Sequence, residues 1–271
     1  MKQITKSDIK KIELKLLLQT SHIFEKEHFR YFLCGGTLLG AIRHKGFIPW
    51  DDDIDICMPR DDYDRFIDYC KNNEFPFDVF WPCEEKRYYC DHMKICDSST
   101  EIIDDFRRKK DTKIGLWIDV FPIDFFETKK KALSTLKKTA FYRYLLVASN
   151  WGTFKKSKTR KWFLEPIRFC FYLLSRFVPR KKIYKKINSI IKNNSTECGA
   201  VSCCIFGSYG TKEIVPSQVF SDYTVADFES SKLRIPVGYD TYLHSLYGDY
   251  MIPPLERERS SRHSFAAFYK E

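Results

Sequence analysis

The sequence predicts a mixed α/β domain carrying a basic helical insertion, and three features lead there. The run Tyr31-Phe32-Leu33-Cys34 is apolar and ends in Gly35-Gly36, as a buried strand does when it turns sharply into a helix. Further on, Asp53 and Asp55 alternate with Ile54 and Ile56, so on a strand both carboxylates share one face and both isoleucines the other. Residues 129–192 hold 19 Lys and Arg against a single acid, Glu165, a net of +18, which leaves 27 basic and 35 acidic residues, or −8, elsewhere. The overall charge of +10 therefore belongs to one segment. At 271 residues, 44% hydrophobic and 16% aromatic, the chain is large and apolar enough for a full core and does not have a disordered composition.

Taken in order, Ser7 is a candidate cap for a helix in which Ile9, Ile12, Leu16 and Ile23 recur at helical spacing, running to about His28. Its expected role is packing. The strand and turn at 31–36 lead into a helix over 37–43 whose free N-terminal amides suit an anion of phosphate size. Arg43 and His44 end that helix, and Arg43 is a candidate for phosphate oxygens through its bidentate fork. Pro49 stops regular structure in the loop 45–50. A strand over 53–58 follows, with Asp53 and Asp55 as catalytic candidates. Two adjacent carboxylates repel unless a hard divalent cation is shared between them, so these two are expected to ligate Mg²⁺, with Mn²⁺ as the alternative.

Pro59 opens a helix with Tyr63, Phe66, Ile67 and Cys70 as its buried stripe, and the acids Asp61, Asp62 and Asp64 in its first turn read as structural. Segments 77–81, 87–95 and 101–103 read as strands of an antiparallel extension. Asp119 sits between Ile118 and Val120 on an apolar strand, where a carboxylate is costly unless paired, liganded or used, and it is the third site carboxylate. Asp124, after a proline, reads as a cap for the next helix. The basic segment, with twelve aromatics interleaved, predicts helices over about 128–149, 160–178 and 181–194. Within 162–178 the residues Glu165, Pro166, Arg168 and Arg176 argue for an interfacial helix rather than a spanning one. No nucleic-acid motif accompanies the basic charge, so nucleic acid is not the expected partner. From Val215 the chain returns to the domain, with an edge strand at 232–236 and a helix at 239–247.

The ten cysteines include two local groups, Cys83, Cys90 and Cys96 with His92, and Cys198, Cys203 and Cys204, but neither has the Cys-x-x-Cys pairing of a zinc site. Packing as small hydrophobes is their expected role. The N-terminus lacks a secretory signal pattern, which predicts a cytoplasmic protein with reduced thiols.

The window holding Gly35, Gly36, Gly40, Arg43, Gly46, Pro49, Trp50, Asp51, Asp53 and Asp55 resembles the LicD family of phosphotransferases, to which the fukutin-type proteins are related. Asp119-Val120-Phe121-Pro122-Ile123-Asp124 and the tail Tyr247-Gly248-Asp249-Tyr250, followed by Glu256, Arg259 and His263, extend the resemblance over residues 31–124 and 232–263. It implies a nucleotidyltransferase-like mixed sheet core over 1–127 and 195–271, with 128–194 as a basic helical subdomain. It also implies that Asp119 joins Asp53 and Asp55 as catalytic residue and metal ligand. Gly35, Gly36, Thr37, Arg43, Asp51 and Lys94 are then expected to bind substrate, Lys94 by neutralising pyrophosphate charge. The implied reaction moves phosphocholine, or a related phospho-alcohol, from CDP-choline or another CDP-alcohol to a teichoic acid, lipopolysaccharide or capsule glycan, releasing CMP. A lipid-linked acceptor would draw the protein to the inner, anionic face of the cell membrane as a peripheral protein. A nucleotidyltransferase moving NMP to a small molecule and a non-catalytic membrane or RNA scaffold are the competing readings. The scaffold leaves three carboxylates at apolar strand positions unexplained.

Overall fold

The computed structural model describes residues 2–82, 88, 90–103, 113–154, 156, 161–256, 259 and 265–270. Helix α1 (Lys6–Lys26) begins two residues earlier than expected, because Thr5 rather than Ser7 caps it, its Oγ1 accepting the Asp8 amide at 3.2 Å. The buried side of α1, including Leu16, Leu17 and Phe24, lies in the main core. Strand β1 (Phe32–Leu33) is wholly buried and runs into helix α2 (Gly35–His44), which starts at the glycine pair itself. Gly35 has φ +53°, a left-handed backbone that favours glycine, and this is the sharp turn the sequence predicts.

Residues 53–56 alternate as expected, with Ile54 and Ile56 fully buried, but strand β2 (Asp55–Pro59) is buried throughout after Asp55, and its pairing starts there, leaving Asp53 in the approach loop. Helix α3 (Arg60–Asn72) buries Tyr63 and Phe66. Its first-turn acids hold Arg30, whose guanidinium meets Asp61 and Asp62 at 2.5 Å each. Strands β3 (Asp78–Phe80) and β4 (Met93–Cys96) form an antiparallel pair as predicted. Strand β5 (Thr100–Ile103) departs from the expectation: it pairs with the C-terminal strand instead, because Ile102 belongs to a separate small core with Ile4, Leu116 and Ala267.

Strand β6 (Trp117–Phe126) is the spine of the sheet. It lies parallel to β2 and antiparallel to β4, giving the order β1-β2-β6-β4-β3 in a sheet of seven strands. The strand continues through Pro122, so Asp124 caps nothing; it is buried on β6 and takes both Arg60 Nε at 2.8 Å and Nη2 at 2.9 Å. Helices α4 (Lys129–Asn150), α5 (Glu165–Phe177) and α6 (Arg180–Lys192) follow, close to the three predicted. Thr128 caps α4 through the Lys131 amide. Ala132, Leu145, Ile183 and Ile187 of α4 and α6 share a second core with Phe126, Cys203 and Ile205.

The chain rejoins the sheet earlier than expected, at β7 (Val201–Cys203) beside β6, with β8 (Val215–Pro216) next to it. Strands β9 (Tyr223–Phe228) and β10 (Ser231–Pro236) form a hairpin of their own. Helix α7 (Tyr239–Tyr247) follows, and β11 (Ala266–Tyr269) is the partner of β5. The nine described cysteines are free thiols, seven of them buried or half-buried, as small hydrophobes would be. Residues 87 and 89 of one predicted strand, Cys83 and His263 lie outside the described residues.

Candidate active site

Asp55 opens β2 and stands directly opposite Asp119 on the parallel neighbour β6. A parallel register puts side chains of paired residues on the same face, so the two carboxylates meet. Asp53 arrives from the loop, and oxygens from Asp53, Asp55 and Asp119 lie within 4.8 Å of one another; Asp51, Asp52 and Asp53 make a second such group. Asp51, Asp53, Asp55 and Asp119 line a cavity of about 660 Å³ together with Gly35, Gly36, Arg43, Trp50 and Tyr247. That volume falls within the usual range of small-molecule sites.

The glycine pair has a second reason to be there. A Cβ on Gly35 would stand 2.9 Å from Asp55 Oδ2, and one on Gly36 would stand 2.5 Å from Asp51 Oδ2. Any side chain would drive the carboxylates out of the start of α2. Thr37 is buried and its Oγ1 accepts the Asp55 amide at 2.8 Å, which fixes the head of β2. Arg43 lies on the cavity wall and donates through Nη1 to the Tyr250 carbonyl at 2.7 Å, which ties it to the C-terminal segment.

Lys94 differs most from its expected place. It is neither exposed nor on the cavity wall; β4 holds it opposite Asp119, its ammonium bonded to Asp119 Oδ1 and 4.1 Å from the Trp117 ring centroid. Thr37 likewise supports the site from behind instead of facing the cavity.

Charge is distributed unevenly among the acids. Burial, then the charges of Asp53 and Asp119, push the Asp55 carboxyl well above its ordinary range. Burial would do the same to Asp119, but Lys94 and His92 outweigh it and hold that carboxyl well below the usual range. Trp117 Nε1 donates to the other Asp119 oxygen at 2.9 Å. Without a cation Asp55 thus resists ionisation, while Asp119 stays ionised and firmly held. Such an all-oxygen donor set suits Mg²⁺ or Mn²⁺.

Residues 28–170, more than half of the chain, match the LicD/FKTN/FKRP nucleotidyltransferase domain. The chain is also 30% identical over 275 residues to the lipopolysaccharide cholinephosphotransferase LicD of Haemophilus influenzae, covering 99% of each protein. The chain belongs to the LicD/FKTN/FKRP family. An uncharacterised protein of Rickettsia typhi is 33% identical over 140 residues, which are 50% of this chain and 41% of that one.

Two residues of this LicD/FKTN/FKRP protein join the site without having been anticipated. His92 lines the cavity, with Nε2 and Nδ1 each 2.8 Å from a carboxylate, Asp119 and Asp91 respectively. Burial opposes its charge, yet Asp119 and Asp91 raise its pKa to about 10, so it is cationic at neutral pH. The signal was present: His92, just ahead of β4, alternates with Lys94, so extended backbone turns both to one side. Glu13, on a helix expected only to pack, is 2% exposed, and its Oε2 lacks a hydrogen-bond partner among the described residues. Burial first, then Asp53, Asp52 and Asp119, push its carboxyl well up, which keeps it neutral beneath the acidic cluster. Helical spacing carries no sign of that placement.

Proposed function

We propose that the protein transfers phosphocholine, or a closely related phospho-alcohol, from a CDP-activated donor to a hydroxyl of a cell-surface glycan, releasing CMP. The observation that carries this reading is the trio Asp53, Asp55 and Asp119 in one cavity of a chain similar over 99% of its length to a lipopolysaccharide cholinephosphotransferase. The catalytic unit is assigned to residues 1–127 with 195–271, and 128–194 to an accessory role.

Asp53, Asp55 and Asp119 would hold Mg²⁺, or Mn²⁺ in its place, and the bound cation would supply charge neutralisation for the donor pyrophosphate. The chain's own groups do the rest. Gly35 and Gly36 keep the start of α2 open for phosphate oxygens, with Asp51 beside them setting their spacing. Arg43, anchored on the Tyr250 carbonyl, offers its remaining N–H groups to the donor. Lys94 and His92 orient Asp119 and lower its basicity, which favours a ligand role for Asp119 over taking the acceptor's proton. The acceptor hydroxyl attacks the alcohol-bearing phosphorus in line, its bond to the CMP oxygen breaks, and the hydroxyl proton passes to the departing CMP phosphate or to solvent.

Incubation with a panel of CDP-choline, CDP-ethanolamine, CDP-glycerol and CDP-ribitol is expected to release CMP from CDP-choline fastest. Mass spectrometry of the glycan should then show a gain of phosphocholine. A gain of a nucleotide would instead establish the nucleotidyltransferase reading, and no release from any donor would remove the proposal.

The accessory helices suit an anionic membrane surface. No described helix is long and apolar enough to cross a bilayer. Around α5, however, Trp162 and Phe177 are each 83% exposed, and Phe163, Ile167, Leu173 and Leu174 are exposed as well. Arg168 and Arg176 serve packing, since they reach Glu165 and the Trp151 carbonyl, so the charge for lipid comes from the exposed lysines of α6. Lysines near an anionic leaflet contribute about 1 kcal/mol each, and the apolar side chains add to this. Co-sedimentation is expected with phosphatidylglycerol vesicles at low salt and to fall at high salt. Equal binding to phosphatidylcholine vesicles, indifferent to salt, would overturn the membrane role.

A further inference from the structure

The cavity has a second buried acid, contributed by the turn after β7 and remote in sequence from the aspartates. We infer that Glu213, framed by Tyr209, Tyr242 and Tyr247, forms the subsite that recognises a quaternary ammonium head group on the donor. The inference rests on the phosphocholine reading above and adds the residues that would select choline.

Glu213 lines the cavity at 4% exposure. Its Oε1 accepts the Tyr209 amide at 3.3 Å, but its Oε2 has no hydrogen-bond partner among the described residues. A buried carboxylate oxygen left this way is costly unless something cationic joins it. Arg143 does not fill that role, since its Nη2 donates to the Gly207 carbonyl; burial raises Glu213 to about 7, and the Tyr209 amide, the Arg143 charge and the Tyr242 hydroxyl only partly offset it.

A trimethylammonium group has no N–H to donate, so it is recognised by negative charge and aromatic faces instead of hydrogen bonds. Both are present. Tyr209, Tyr242 and Tyr247 line the same cavity, and the Tyr209 and Tyr247 rings meet edge to face at 5.1 Å. Tyr247 also links this wall to the reaction centre. Its hydroxyl, pushed up chiefly by burial, is raised further by Tyr209 and by the charges of Asp55 and Asp51. The aspartates, Tyr247 and Glu213 line one cavity, so a donor phosphate at the aspartates can place its short alcohol chain towards Tyr247 and Glu213.

Calorimetric titration of the full-length protein in Mg²⁺ tests this with three ligands: CDP-choline, its neutral isostere CDP-3,3-dimethylbutanol, and CDP. Wild type is expected to prefer CDP-choline over the isostere by about tenfold or more, as cation–π and charge attraction in a desolvated site imply. Glu213→Gln should erase most of that preference and leave CDP affinity unchanged. Tyr247→Leu should reduce it in the same direction, and the wild-type comparison stands whether or not either variant folds. Equal affinity of wild type for choline and isostere would overturn the subsite while leaving phosphotransfer intact. An equal loss for CDP in Glu213→Gln would also overturn it, by assigning Glu213 to the nucleotide. Failure of wild type to bind any of the three would overturn the donor reading and this inference together.

Discussion

Asp53→Asn and Asp55→Asn are each expected to lower turnover by about a thousandfold or more, the loss of several kcal/mol of transition-state stabilisation, while the protein stays folded. Asparagine keeps the shape and removes the charge that would hold a cation. For Asp55 the stability change has a definite sign. Its carboxyl is pushed well up by burial, then Asp53 and Asp119, so the folded protein favours the protonated form. Stability is then lost as pH rises through the ordinary carboxylate range, where the unfolded chain ionises freely and the folded one resists. Asparagine has no such cost, and the metal-free Asp55→Asn protein should melt at or above the wild-type temperature at neutral pH. Asp119→Asn should behave differently, losing stability along with activity, because Lys94 is buried against that carboxylate. Turnover assays with thermal melts, with and without MgCl₂, check all three variants. Near-normal turnover in Asp55→Asn would exclude it from the chemistry, and Mg²⁺ stabilising that variant as much as wild type would exclude it as a ligand.

Asp124→Ala is expected to cost about 3–5 kcal/mol, a large share of the roughly 5–15 kcal/mol that holds a domain folded. The Asp124 side chain is fully buried and Arg60 is 17% exposed, with the two joined by paired hydrogen bonds of 2.8 and 2.9 Å. Burial works against the Arg60 charge, and Asp124 is what outweighs it. Removing the acid leaves a guanidinium enclosed without its counter-charge. Asp124 does not line the cavity, so turnover per folded molecule should persist where the protein survives. Denaturant unfolding measures the loss. A change below about 1 kcal/mol would show that the pair is no more than a surface-like bridge.

The contrast between these acids shows what was legible. Asp53 and Asp55 could be picked out because the evidence for them is local: alternation with Ile54 and Ile56, and a glycine pair just upstream. The three accessory helices were legible for the same reason, since each carries its own periodicity. Asp119 was recognisable as an expensive carboxylate on an apolar strand, and the family resemblance placed it beside the other two. Asp124 sits on that strand in a similar setting, yet its partner, Arg60, lies on a helix far back in the chain, and its proline neighbour suggested a helix cap.

By itself the sequence determined the strand faces, the helix spans, the confinement of basic charge to 128–194 and the family. Tertiary structure alone decided the partners: Lys94 and His92 on Asp119, Thr37 on the Asp55 amide, neutral Glu13 beneath the acids, and Glu213 in the same cavity. It also decided that the apolar side of α5 faces outward, when the same pattern would serve a buried helix equally well. The physical reason is that periodicity records only which side of an element is apolar. What that side meets depends on sheet register and on contacts between segments distant in the chain, such as Asp55 opposite Asp119, and these are set by the packing of the whole domain.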